Sequence, residues 1–271
     1  MKKYSIVALL VFGGITVFVF GNPYYSIFST NGNKTYYLAI TIFFLAVSMV
    51  LKRNPALSNY GHAAYSLFAA SLALLFLSTG IFNLHNSTMP PLLNLALDKT
   101  SQFLHVVPVL IGLTLLAGGS LKSIFVSWGK LKQGLTFGLI SFTGFAIISL
   151  LMGIQSSGFF SSFWDATPLL LLFIFSNATM EELWFRGIFL KNYEAIVGRK
   201  AAILVTSLVF GTSHINATYK FLGGGIVFGL VVFGLGVVGA YAMLKDDSLI
   251  GPVLFHAGYD LLVIVPIFDS M

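Results

Sequence analysis

Long apolar runs broken by short polar segments succeed one another along the whole chain. They fall near residues 4–21, 36–51, 63–84, 103–119, 134–154, 166–190, 201–217, 221–244 and 248–268. A membrane-crossing helix needs about 20 apolar residues to span a hydrocarbon core of ~30 Å. The pattern therefore predicts an all-α fold, a polytopic transmembrane helix bundle of eight or nine spans. The fourth run is interrupted by His105 and Pro108, and Lys122, Ile124, Phe125 and Val126 read as its amphipathic extension. The first run follows Lys2 and Lys3, is longer than a signal-peptide core and lacks a small-x-small cleavage site, so it reads as a retained helix. Residues 1–160 hold the N-terminal transmembrane helices. Residues 161–271 hold the polar residues discussed below, and the two parts are expected to form one integrated membrane domain.

Composition agrees with this reading. Of 271 residues, 57% are hydrophobic and 9% charged, and the mean hydropathy is +0.91. Soluble domains carry about 25% charged residues. The chain has no cysteine, which excludes disulfides, thiolate catalysis and cysteine metal sites. The net charge of +6 is scattered over short loops, a distribution that speaks against nucleic acid as a partner and for orientation in a membrane. Alternate loops counted from the N-terminus hold Lys2, Lys3, Lys52, Arg53, Lys122, Lys130, Lys132, Lys191, Arg199, Lys200 and Lys245, and the opposite loops hold only Lys34, Lys99 and Lys220. This bias predicts a multi-pass protein of the cell membrane with a cytoplasmic N-terminus. The run at 221–244 is rich in glycine, and Gly225 and Gly229 have the G-x-x-x-G spacing that lets helices approach closely.

A few polar residues do not suit lipid. Glu181 and Glu182 stand side by side within an apolar stretch, where a carboxylate costs ~2.5–3.5 kcal/mol on insertion scales. Asp260, His214 and His256 also fall within spans or near their ends, whereas His62, His85 and His105 read as solvated or interfacial. Helical spacing sorts the set. Glu182 and Arg186 are four apart and share a face, so they form a ready ion pair with a positioning role. Glu181 points about 100° away and is left as the free carboxylate. Phe210 and His214 share a face, as do His256 and Asp260. Gly198 marks the turn between two antiparallel helices. Glu181 precedes it and His214 follows it at nearly equal separations, so both lie ~25 Å from the turn and level with each other.

The three elements Glu181-Glu182-Leu183-Trp184-Phe185-Arg186, Phe210-Gly211-Thr212-Ser213-His214 and His256-Ala257-Gly258-Tyr259-Asp260 resemble the pattern Glu-Glu-x-x-x-Arg, Phe-x-x-x-His, His-x-x-x-Asn/Asp. That pattern belongs to the CAAX protease and bacteriocin-processing (Abi) family of intramembrane peptidases, related to the type II CAAX prenyl endopeptidases. The resemblance covers roughly residues 165 to 262. It implies hydrolysis of a peptide bond within or near the membrane, in a membrane-associated peptide or lipidated protein. Glu181 and His214 would activate a water, and His256 and Asp260 would stabilise the oxyanion. Glu182, Arg186 and Phe210 would position them.

Asp260 departs from the asparagine form, and an ionised aspartate cannot donate to an oxyanion. A metal-dependent version, with a divalent ion such as zinc on Glu181, His214 and His256, stands beside the metal-free one. The site is expected to open toward the cytoplasmic half, among the positive loops. Two other classes of function use similar parts: a non-catalytic membrane scaffold or sensor, and a transporter or proton relay. Oligomeric state is not legible.

Overall fold

The computed structural model describes residues 3–21, 30–153, 159–217 and 225–265. In chain order the helices are α1 (Lys3–Ile15), α2 (Thr30–Lys52), α3 (Ser58–Leu77), α4 (Pro91–Leu116), α5 (Leu131–Gly153), α6 (Phe159–Glu182), α7 (Leu190–Val197), α8 (Arg199–Ser213), α9 (Gly225–Asp246) and α10 (Ile250–Ile264). Two π-helical turns, Thr16–Phe20 and Leu183–Gly187, extend α1 and α6. No strand occurs among the described residues. Such a chain is suited to lipid, where helices satisfy every backbone N–H and C=O within one segment.

Seven helical segments among the described residues are long and apolar enough to cross a membrane. This is fewer than the expected eight or nine. The difference lies in α8 and α10, each described over 15 residues. At 1.5 Å per residue each is about 22 Å long, short of a ~30 Å core. The expected break in the fourth span is also absent. Helix α4 runs without interruption through His105 and Pro108 and begins twelve residues ahead of the expected start at 103. The predicted amphipathic extension at 122–126 is instead a separate 3-10 turn, Leu121–Ile124. It ends on Phe125 in the left-handed region (φ 63°), whose carbonyl accepts from Leu249 N–H at 2.9 Å.

Apolar side chains divide between a shared interior and an outer belt. One buried cluster includes Leu10 of α1, Leu67 of α3, Leu110 of α4, Val205 of α8 and Tyr259 of α10. A second joins Leu170 and Ile174 of α6 to Leu261 and Ile264 of α10. Phe12, Phe43, Ile140, Leu151, Trp164 and Leu230 are exposed, as lipid-facing residues would be. Helix α10 packs against α5, α6 and α9, and α8 packs against α9 and α1.

Glycines set the closest approaches. A Cβ on Gly251 would stand 2.9 Å from the Gly134 carbonyl, and one on Gly258 would stand 2.8 Å from Phe142 Cα. These contacts lock α10 onto α5. Between α8 and α9, a Cβ on Gly211 would stand 2.7 Å from the Gly229 carbonyl, so Gly229 fulfils the packing role expected of it. Its partner in the spacing, Gly225, has nothing within 4 Å of its Cβ position. Gly223, Gly224, Tyr219 and Lys220 lie outside the described residues.

One end of the bundle is stitched by polar contacts. Lys122 and Lys191 both reach Asp247, at 3.7 and 2.7 Å, and Ser248 Oγ donates to the Ser127 carbonyl at 2.7 Å. The α7–α8 turn belongs to the same end. Gly198 there has φ 81°, a conformation that favours glycine, and Arg199 pairs with Glu194 at 3.0 Å.

Candidate active site

The centre of the site is a π-helical turn that follows two adjacent glutamates. After Glu182 the chain passes through Leu183–Gly187, and Ile188 N–H reaches back five residues to the Leu183 carbonyl at 3.2 Å. Single π turns inside α-helices are rare and gather at functional sites. Gly187 permits this one, since a Cβ there would stand 2.8 Å from Leu183 Cδ1 and 3.2 Å from the Ile124 carbonyl. Helix α3 braces it from behind. Ser66 Oγ donates to the Ile188 carbonyl at 2.6 Å, and Trp184 Nε1 donates to the Ala70 carbonyl at 3.3 Å.

The two glutamates have separate environments. Glu182 and Arg186 are both fully buried, and Arg186 Nη1 donates to Glu182 Oε1 at 2.6 Å. The guanidinium lies over the Phe210 ring, 4.2 Å from its centroid, and Arg186 Nε contacts the Gly236 carbonyl at 3.4 Å. A buried pair of this kind is retained only with such additional contacts, because the desolvation of each ion is costly. Glu182 Oε1 also accepts from His256 Nδ1 at 2.9 Å. The pairing of Glu182 with Arg186 is as the spacing predicts, and the tie to His256 is an addition to it.

Glu181 points to the other side. Its Oε2 lies 3.6 Å from His214 Nε2 and 3.6 Å from His256 Nε2. The level agreement between Glu181 and His214 therefore holds. His256 Nε2 is also 3.6 Å from Asp260 Oδ1, the contact that their four-residue spacing predicts. Each of these separations is too long for a direct hydrogen bond and short enough for one water to touch both partners. Hydrogen bonds fix the histidine rings. His214 Nδ1 is 2.8 Å from the Phe210 carbonyl, which can only accept, so this nitrogen carries a proton. His256 Nδ1, facing the carboxylate of Glu182, is likewise the donor. Both Nε2 atoms thus face the shared space. The Phe210 ring lies edge-on to both imidazoles, with centroids 4.6 Å from His214 and 5.8 Å from His256.

Accessibility is graded across the cluster. Side-chain exposure is 20% for His214, 10% for Asp260 and 9% for Glu181, against 3% for His256 and none for Glu182. The most exposed member caps the end of α8 remote from Arg199. The most accessible member of the cluster is therefore His214, at the end of α8 remote from the Lys191–Lys200 turn.

Three polar side chains within the bundle differ from what their spacing suggests. Asn177 Nδ2 donates to Asp260 Oδ2 at 3.0 Å. It lies four residues before Glu181 in an apolar helix, the same spacing that drew attention to Glu182 and Arg186. Lys99, expected in a loop, stands half-buried within α4 and acts electrostatically on Glu181 and Asp260. His105, expected to be solvated or interfacial, is fully buried; its Nδ1 meets the Ser101 carbonyl at 2.7 Å and its Nε2 accepts from Phe82 N–H at 3.1 Å. This ring caps a turn that would otherwise leave its backbone unsatisfied. His62 is exposed, and His85 pairs with Asp98 at 3.7 Å.

The metal-dependent version needs Glu181, His214 and His256 around one ion. Zinc ligands ring a common point at about 2.0–2.2 Å. Among the described residues no three His, Asp or Glu side chains are so arranged. Glu181 Oε2 is the common neighbour of the two imidazoles, 3.6 Å from Nε2 of each.

Fold and site together define a polytopic helical membrane bundle with a buried carboxylate–histidine centre. Residues 163–262, from α6 to α10, match the family model of the type II CAAX prenyl endopeptidase Rce1-like proteins. The matched stretch contains all three motifs, and the likeness supports an intramembrane CAAX-protease-type function in general. No curated protein and no solved structure matches the chain.

Proposed function

We infer that the protein is an intramembrane endopeptidase that hydrolyses a peptide bond in a membrane-associated or lipid-modified peptide. The observation that carries this reading is the convergence of His214 Nε2 and His256 Nε2 on Glu181 Oε2, each at 3.6 Å. A water there can donate one hydrogen to the Glu181 carboxylate and the other to the His214 imidazole. As its oxygen attacks the substrate carbonyl carbon, Glu181 takes the proton as general base and the carbonyl π pair moves onto oxygen. General bases of this type contribute about 10²–10⁴-fold. The tetrahedral intermediate collapses by expelling the amine, which leaves with the proton held by Glu181. Water has then added hydroxyl to the acyl fragment and hydrogen to the amine.

His256 serves the oxyanion side as an imidazolium. Three buried carboxylates, Glu181, Glu182 and Asp260, surround its ring at 2.9–3.6 Å, and buried charges are retained when they are paired. Its Nδ1–H is held by Glu182, and its Nε2–H faces the reacting space. Glu182, Arg186 and Phe210 are positioning residues. The reaction is metal-free. The substrate reaches the site from the lipid phase, and nucleic acid plays no part. The positive-loop bias places the N-terminus in the cytoplasm; single cysteines introduced into this cysteine-free chain would report that sidedness by impermeant thiol labelling.

Comparative proteomics of membrane peptides tests the activity. Cells with the Glu181→Gln variant should accumulate uncut substrates while the protein keeps normal abundance. Identical peptide sets in both cells would remove Glu181 from the base role. That outcome is the one expected of a scaffold or sensor, and a loss of ion or proton flux without any peptide change is the one expected of a transporter.

A further inference from the structure

We propose that Asn177 is a catalytic donor of this site: its amide supplies from α6 the N–H that an asparagine at position 260 would supply from α10. The inference rests on the peptidase reading above. Position 260 carries an aspartate, and a carboxylate accepts hydrogen bonds but cannot give one to a developing oxyanion. The group bonded to it is an amide. Asn177 Nδ2 lies 3.0 Å from Asp260 Oδ2, and because that oxygen only accepts, the nitrogen is the end that faces it.

The amide nitrogen has two hydrogens and Asp260 Oδ2 takes one of them. Asn177 Oδ1 is buried and has no hydrogen-bond partner among the described residues. Its placement suits the reaction. Asn177 stands one helical turn before the proposed base Glu181, on the same face of α6. It is 6% exposed, dry enough for a neutral donor to act strongly on developing charge. Asp260 then has a defined task. Its Oδ2 holds the amide in place while its Oδ1 faces His256 Nε2 at 3.6 Å. The two donors of the oxyanion side, one imidazolium and one amide, are organised by a single carboxylate.

Cleavage of a substrate peptide by the purified protein in lipid vesicles separates this role from a packing role. Asn177→Leu keeps the side-chain bulk and removes the donor. Its kcat should fall by about 10²–10³-fold, the loss seen when one preorganised oxyanion donor is removed, with KM little changed. The double variant Asn177→Leu with Asp260→Asn cannot remake the bond between the two positions, yet it returns an amide to the site. It should regain at least ten-fold over Asn177→Leu alone. Should the leucine variants not accumulate, the exchange Asn177→Asp with Asp260→Asn keeps the hydrogen bond and moves the amide to α10, and it should be active.

Asn177→Leu activity within three-fold of the unaltered protein would overturn the proposal. So would a folded double variant no better than Asn177→Leu, or a folded but inactive exchange variant. Glu181→Gln is run alongside. If that variant cleaves, the peptidase mechanism itself fails, whereas a dead Glu181→Gln beside an active Asn177→Leu defeats only the role of Asn177.

Discussion

Glu181 and Glu182 are neighbours of identical chemistry, and the fold gives them opposite surroundings. Glu182 faces inward to Arg186 and His256 Nδ1, in a region with no exposed side chain. Glu181 lies beside His214 and Asp260, which retain partial exposure, and the two imidazoles stand 3.6 Å from Glu181 Oε2, beyond direct hydrogen-bond distance. The comparison separates two uses of a buried charge. One carboxylate is tied through Oε1 to Arg186 and His256 and holds those groups still. The other is left with acceptor capacity facing a space that a water can fill. A helical turn of about 100° per residue suffices to separate the two uses, and the π turn that follows keeps Arg186 beneath Glu182 without crowding Glu181.

The contrast can be broken by substitution. Glu181→Gln should lower cleavage by about 10²–10⁴-fold, the usual contribution of a general base, with thermal stability in detergent nearly unchanged. Glu182→Gln should do the reverse in emphasis. It leaves Arg186 and His256 buried without their carboxylate, and the loss of one partner of a buried ion pair costs about 3–5 kcal/mol, read as a large fall in denaturation midpoint together with reduced activity. If the two variants behaved alike, the assignment of distinct roles would be wrong.

Smaller perturbations sharpen the same comparison. Gly239→Ala would place a Cβ 3.3 Å from Glu182 Oε2 and 3.7 Å from Arg186 Nε, on the inward side alone. Overpacking of this kind costs ~1–3 kcal/mol, and its activity loss should track its stability loss. Phe210→Leu removes the ring beneath Arg186, an interaction worth about 2 kcal/mol when desolvated. It also frees the His214 and His256 rings, so kcat should fall more than stability does. The smallest effect is expected from chelation, which should leave cleavage by the purified protein intact; loss of activity restored by zinc would replace the metal-free mechanism.

Much of this was legible in the chain because helical periodicity and hydrophobic run length are local properties. The Glu182–Arg186 pair, the level placement of Glu181 and His214, and the contact of His256 with Asp260 all follow from spacings of four residues or from counting back to Gly198. Helix α4 starts twelve residues before 103 because the polar run Asp98-Lys99-Thr100-Ser101-Gln102, loop-like by local composition, is carried on a helix packed against α6 and α3. The charge of Lys99 suggests a loop, whereas the assembled bundle carries its long side chain half-buried on α4. Asn177 carried the same four-residue signal as the other site residues. An amide in an apolar helix costs less than a charge, so its presence alone does not mark a site.

The central claim concerns the origin of one oxygen atom. Membranes holding the protein, incubated in oxygen-18 water, should yield peptides whose new carboxyl termini carry the heavy isotope, and membranes holding Glu181→Gln should not. Equal labelled termini from both, or new termini without label, would contradict a hydrolytic water activated at Glu181.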